Sequence, residues 1–238
     1  MNTDKVKIGF FSFTEITDPA EHRSYNEWHM LDHMPEQFPI PGIAYGQRWV
    51  ATPAGRAVRA ISEPPLDAVH YLTCYLMTEP VEETLREFYA HGRALAKVGR
   101  FHQHRRALLS GPFGVEEGAA ASRVLIRAEA VPYRPHRGVY VVVEGVGAND
   151  VVAHRDALLA LDGVAGVWSF APNARTVSAT WKPGDQRITV AWIDEDLDAT
   201  AAAIAPVERG RREPAGVTFA GPLEPITPGQ WDWFDGQA

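Results

Sequence analysis

Three short stretches of this chain occur twice in the same order, at an offset of about 110–120 residues, and this repetition limits the possible folds more than any other feature. Pro41-Gly42-Ile43-Ala44 returns as Asp162-Gly163-Val164-Ala165. His70-Tyr71-Leu72-Thr73-Cys74-Tyr75 returns as Arg187-Ile188-Thr189-Val190-Ala191-Trp192. Ser110-Gly111-Pro112-Phe113 returns as Ala220-Gly221-Pro222-Leu223. Each echo alone is weak, because Gly and Pro mark turns in any protein. Repeated order at a near-constant offset is the mark of tandem structural units.

The elements between the echoes agree with this. Lys7 to Ile16 reads as a strand rich in Phe, Ile and Thr. Asp18 can cap a helix with Pro19 in its first turn, running from about Ala20 to Gln37. Its apolar arc, Trp28, Leu31, Met34 and Phe38, is expected to pack on the sheet. Strands follow at Ile43–Ala51 and His70–Thr78, with the Pro- and Gly-bearing connection Thr52–Asp67 between them. A helix at Val81–Val98 and a strand at Phe101–Leu109 complete the set. The order strand, helix, strand, strand, helix, strand is the split βαβ of ferredoxin-like units. The second half repeats it: a strand at Gly138–Gly145, then a helix capped by Asn149 and closed by Asp162-Gly163. Strands at Val164–Phe170 and Arg187–Ile193, a helix at Asp196–Val207 and a strand at Val217–Ala220 complete it. The predicted class is α+β, two ferredoxin-like βαββαβ units in tandem. The first unit is 1–113. A linker covers 114–137, where Arg123–Val131 alternates like an extra strand. The second unit is 138–238, ending in the aromatic tail Gln230-Trp231-Asp232-Trp233-Phe234, which is expected to dock on the body or on a partner subunit.

With 238 residues and 45 % hydrophobic composition, each half can bury a core. A net charge of -7 argues against a nucleic-acid partner, which calls for a basic patch. The lone cysteine, Cys74, cannot form an internal disulfide and reads as a core residue, so a reducing compartment fits. The N-terminus shows no signal pattern and no apolar run is long enough to span a bilayer. The expectation is a soluble cytoplasmic protein without membrane partners.

The densest titratable chemistry lies in Tyr25–Gly46. On a helix, His22, Asn26, His29, His33 and Glu36 share one arc, with Tyr25 at its edge. The bland reading is a solvated polar face. Surface helices favour Lys, Glu and Ala, so this mixture of His, Trp, Tyr and Asn points instead to a lined cavity. His29 and His33 lie one turn apart and can exchange protons with one small molecule near neutral pH. Asp32 and Glu36 could orient the imidazoles. Pro35 stops the helix after His33, which would place His33 near a helix C-terminus, favour the imidazolium and make it a general acid. His29, His33 and Glu36 also have the spacing of two histidines and a carboxylate for a divalent metal, although one straight helix rarely surrounds an ion with three ligands. Arg48 could hold an anionic or carbonyl oxygen. Tyr71, His70 and the pair His102 and His104 are weaker candidates, more simply structural. No complete phosphate loop and no Gly-x-Ser-x-Gly element is present.

The stretch Tyr25-Asn26-Glu27-Trp28-His29, Asp32-His33-Met34-Pro35, Pro41-Gly42 and Arg48 resembles the first helix and exit strand of dimeric α+β barrel proteins. It is most similar to the EthD-type branch, where a Trp and a His-x-Pro element precede a Pro-Gly exit. The resemblance implies antiparallel sheets that form an α+β barrel, closed within this chain or by dimerisation. Members include cofactor-free monooxygenases, polyketide cyclases, muconolactone-type isomerases, dehydratases and chlorite-dismutase-like haem proteins. It places His33 nearest the cleft, with Trp28 behind it. The usual unit is a single repeat that dimerises, whereas this chain holds two. Its second helix carries only His154 and lacks the Trp-x-x-x-x-His-x-Pro element. The resulting expectation is an enzyme, an isomerase, cyclase, dehydratase or cofactor-free monooxygenase, acting on a mainly apolar, oxygenated small molecule. His33 and His29 would be catalytic, and Asn26, Trp28, Tyr25, Tyr45, Arg48, Glu36 and Tyr71 would bind substrate. No cofactor is expected, with haem or a divalent metal as the alternative and a non-catalytic ligand-binding module as another. A homodimer is expected.

Overall fold

The computed structural model describes residues 5–147, 150–172 and 185–236. In the first half, β1 (Val6–Ile16), α1 (His22–Glu27), β2 (Ile43–Val50), α2 (Pro53–Ala57), β3 (Ile61–Ser62), β4 (Tyr71–Thr78), α3 (Val81–Lys97) and β5 (Arg105–Ala120) follow one another. The second half has β6 (Gly138–Gly145), α4 (Val151–Leu159), β7 (Val164–Ala171), β8 (Gln186–Ile193), α5 (Leu197–Ala215) and β9 (Phe219–Pro225).

The strand order is β2-β4-β1-β5-β7-β8-β6-β9, and β9 returns to pair β2, so the sheet closes on itself as an antiparallel barrel within one chain. The two-residue β3 is an adjunct on β9. Each half supplies four neighbouring strands, β2-β4-β1-β5 and β7-β8-β6-β9. The halves match register for register. Phe11 opposes both Cys74 and Gly111, as Val141 opposes Val190 and Gly221. Trp49 opposes Leu72 as Phe170 opposes Ile188. The helix-exit glycines match as well. Gly42 and Gly163 have φ of +88° and +87°, which L side chains rarely adopt. A Cβ on either would lie 2.0 or 2.1 Å from the hydroxyl of Thr84 or Thr200.

The barrel interior is filled by alternate strand residues, among them Phe11, Phe13, Trp49, Leu72, Cys74, Val141, Trp168, Phe170, Val190 and Phe219. Helices cover the outer faces, so strands such as β4 and β8 are buried on both sides and read as near-continuous apolar runs. On the second half the helix–sheet layer is one cluster, from Leu158 and Val167 to Ile204 and Val217. On the first half it is two clusters, one around Tyr25, Tyr71, Trp231 and Phe234, the other around Ile8, Met34, Tyr75 and Leu85. The aromatic tail therefore docks on the first half of its own chain.

Several expected boundaries move. The last strand of the first half starts at Arg105, not Phe101, and runs on to Ala120 through the expected linker. Its far end is needed as the partner of β7, from Gly114–Ala171 to Ala120–Gly166. Arg123–Val131 is not a strand: Ser122–Val124 and Ala128–Tyr133 form 3-10 turns. Asn149 lies outside the described residues, and Asp150 caps α4 by accepting from Ala153 N at 2.9 Å. α5 continues past Val207 and Pro206 to Ala215, because Glu208, 0 % exposed, is buried against His154 and Arg211. No helix among the described residues is long and apolar enough to cross a membrane.

Candidate active site

Asp18 Oδ1 accepts from Ala20 N at 3.0 Å and Pro19 opens a 3-10 turn, which delivers the chain into α1. From Trp28 to His33 the helix widens into a π-helix, closed by Met34 N donating to His29 O at 2.8 Å. Pro35 offers no N–H to draw the next turn tight, and the path ends in a 3-10 turn at Pro35–Gln37. Such π turns concentrate at functional sites.

The turn changes the expected orientation of the helix only in part: Met34 of the apolar arc packs inward as expected, 5 % exposed. Leu31 and Phe38 of the supposed inner arc are 69 % and 46 % exposed, while His22, Asn26 and His29 of the polar arc face the sheet at 6, 0 and 6 %. The sheet there supplies polar partners. Asn26 Nδ2 donates to Tyr71 OH at 2.9 Å and to His22 O at 2.8 Å. With Asn26 as donor, the Tyr71 hydroxyl gives its own proton to His22 Nδ1 at 2.9 Å. Asn26 Oδ1 accepts from Arg48 Nη2 at 3.0 Å. The Arg48 guanidinium lies 5.1 and 5.6 Å from the ring centres of Tyr25 and Tyr71, and its Nε and Nη1 have no partner among the described residues. Tyr25, Asn26, Arg48 and Tyr71 thus form a buried layer beneath His29 and do not line the cavity above it.

Above that layer is a cavity of about 440 Å³ between the π turn, α3 and the outer faces of β1, β4 and β5. Trp28, His29 and His33 line it. The imidazoles of His29 and His33 meet edge to face with centres 5.2 Å apart. Trp28 stacks on His33 at 4.7 Å and is held by its indole N–H donating to Arg100 O at 2.7 Å. His29 Nδ1 is 3.1 Å from Tyr25 OH. Five buried polar atoms that belong to lining residues have no hydrogen-bond partner among the described residues: His29 Nε2, His33 Nδ1, Thr73 Oγ1, Tyr75 OH and Tyr89 OH. Phe10, Phe88 and Phe101 supply apolar wall, and Arg93 and Arg105 supply charge.

Both histidines are neutral at physiological pH. Burial pushes His33 down to about 4, helped by the positive charge of Arg105 and opposed by Asp32. Burial, then the charge of Arg48, holds His29 well below the ordinary value. The expectation of an imidazolium at a helix C-terminus is therefore overturned, because the chain turns on through Gln37 and desolvation outweighs any helix-end effect.

Two further expected residues lie elsewhere. Tyr45 faces the barrel interior, opposite to Arg48 on β2, with its hydroxyl donating to Gln47 Oε1 at 2.7 Å and its ring 5.0 Å from Tyr133. Glu36 pairs with Arg100 at 2.9 Å and lies 3.4 Å from His91, so the alternative metal set with His29 and His33 is not assembled. Among the described residues, Asp18, Glu21 and His104 come close enough to share an ion, and Asp18 is already a cap. A larger depression of about 580 Å³ between Arg137 and Asp194–Asp198 presents no such pair of neutral bases.

Sequence reasoning missed Tyr75, Phe88, Tyr89, Phe101 and Arg105 as lining residues. A signal existed: Thr73 and Tyr75 fall on the face of β4 opposite Cys74, and Phe88, Gly92 and Ala96 are spaced by one helical turn. In the second half, His154 Nε2 lies 2.7 Å from Glu208 Oε1 and 2.8 Å from Arg211 Nη1, closed in by its partners.

No protein-family model matches the sequence, and no curated protein is significantly similar to it. Solved structures are similar in shape over nearly the whole chain. A candidate chlorite dismutase aligns over 97 % of this chain and 98 % of its own, at 12 % identity and TM-score 0.55. A candidate monooxygenase from Fusobacterium nucleatum subsp. nucleatum aligns over 94 % of both chains, at 10 % identity and TM-score 0.51. A doubly substituted chlorite dismutase from Candidatus Nitrospira defluvii aligns over 93 % of this chain and 92 % of its own, at 13 % identity and TM-score 0.51. Similarity at this identity concerns the fold: this chain has the dimeric α+β barrel fold, with both barrel halves joined in tandem in one polypeptide.

Proposed function

We propose that the first unit, residues 1–113, is an acid/base enzyme site for a mainly apolar, oxygenated small molecule, and that the second unit is scaffold. One observation carries this: two neutral imidazoles, each with an unpartnered buried nitrogen, belong to one apolar cavity. His33 acts as general base and takes a proton from an enolisable carbon or a phenol. His29, held by Tyr25, receives or returns a proton on the neighbouring oxygen. The anion that forms lies near Arg105 and above Arg48, whose buried guanidinium has no carboxylate partner among the described residues. Proton removal of this kind is common to isomerisation, cyclisation, dehydration and cofactor-free oxygenation. One structural neighbour is a candidate monooxygenase, which supports trying the oxygenation first. The test is turnover of enolisable ketones and phenols followed by mass spectrometry. His33→Ala should lower kcat/KM by about 10²–10⁴. Unchanged turnover in that variant would refute the assignment. The oligomeric state belongs to the proposal as a homodimer, read by light scattering.

A second reading has one observation in its favour. Among the described residues His29 Nε2 is buried without a partner while Nδ1 is held by Tyr25, which would suit a nitrogen donor to haem iron with a supporting hydrogen bond. His29 would hold the iron, Arg93 and Arg105 would supply positive charge for the carboxylates, and the group would supply one-electron and oxygen chemistry. The second half does not fit, because the nitrogen of His154 is already engaged. Titration with haem that yields a Soret band in the wild type and not in His29→Ala would favour this reading.

A further inference from the structure

We infer that Gly92 sets the size limit of the ligand, and that Glu208, at the equivalent position of the second half, fills the space that the cavity occupies in the first. The inference deepens the proposed function and rests on it. The equivalence follows from the paired anchors. Gly42 packs on Thr84 as Gly163 packs on Thr200. Eight residues beyond Thr84 is Gly92, and eight residues beyond Thr200 is Glu208. Nine residues before Gly42 is His33, and nine before Gly163 is His154.

In the second half these two positions meet. Glu208, 0 % exposed, reaches His154, 4 % exposed, at 2.7 Å, and Arg211 braces both from 2.8 Å. A carboxylate thus stands where the cavity would be, and what remains beside His154 and Arg211 is a depression of about 300 Å³ between α4 and the end of α5, which Glu208 does not line. In the first half the matching helix position has no side chain. Gly92 lies inside α3, where glycine costs stability relative to alanine. No turn requires it: its backbone shows no left-handed φ, and an added Cβ would meet nothing within 4 Å. What that position does touch is the cavity, which it lines together with His33. The stability given up at Gly92 leaves bare helix backbone against which a flat ring can lie.

The test uses thermal unfolding and fluorescence binding of phenol, naphthol and anthrol to the full chain. Gly92→Ala should raise Tm by about 2–4 °C through helix propensity. Gly92→Leu should weaken naphthol at least tenfold and retain phenol. Gly92→Glu should place a carboxylate beside His33 as Glu208 stands beside His154, so the His33 resonance should titrate at higher pH than in the wild type. Wild-type binding of naphthol that persists unchanged in Gly92→Leu would overturn this inference and leave the proposed function standing. Failure of the wild type to bind any of the three would overturn both.

Discussion

Acid should unfold this protein through two histidines that its structure requires to be neutral. His70 Nδ1 accepts from the backbone N–H of Ile16 at 3.0 Å, and His22 Nδ1 accepts from Tyr71 OH at 2.9 Å. Protonation at either nitrogen removes the acceptor and puts a cation in a buried site. Burial first, then the charge of Arg56, lowers His22 from 6.5 to about 4 and His70 from 6.5 to about 3. The sign follows directly. Between those values and 6.5 the unfolded chain binds more protons than the folded one, so stability is complete above pH 6.5 and falls as pH drops toward 4 and 3. At about 1.4 kcal/mol per pH unit for each group, acidification from about pH 7.5 to about pH 4.5 costs at most about 5 kcal/mol for the pair. Half of that, about 2–3 kcal/mol, is the working figure once solvent screening is allowed for. Urea unfolding across this range, followed by tryptophan fluorescence, measures it. His70→Asn, which can accept the same bond without titrating, should flatten the slope by one histidine's share, roughly a quarter, since His22, His29 and His33 are lowered as well. A stability that is level from neutral pH to about pH 5 in the wild type would refute the reasoning.

The other predictions concern the repeat and the tail. Gly42→Ala and Gly163→Ala should each lose about 2–4 kcal/mol, since each combines a left-handed φ with a collision against a threonine hydroxyl that is bonded elsewhere. Equal losses in the two urea curves would support the equivalence of the halves, and no loss in either would refute it. Phe234, 6 % exposed, stacks on His22 at 4.0 Å, and Phe234→Ala should cost about 2–3 kcal/mol. The same variant should raise the pKa of His22, followed by NMR, because it uncovers a ring whose proton affinity is lowered mainly by burial.

The sequence by itself determined the tandem order, because a helix-exit glycine, a turn proline and an apolar strand leave local marks that need no partner to be read. Gly42 and Gly163 were legible for that reason, and so was the concentration of chemistry around His29 and His33. Only the tertiary structure decided which way that chemistry points. A uniform α-helix puts Leu31 on the sheet. The chain instead opens a π turn before Pro35, and Arg48 and Tyr71 on the sheet draw Asn26 and His22 inward. The protonation of His33 was likewise unreadable, since it depends on burial and on Arg105, seventy-two residues away. The reach of β5 through the expected linker was set by its partner β7, and the length of α5 by the burial of Glu208 against His154. The same pairing distinguishes the halves: a glycine and a glutamate at matching helix positions look unremarkable along the chain, yet one lines the cavity beside His33 and the other forms a buried ion-paired cluster with His154.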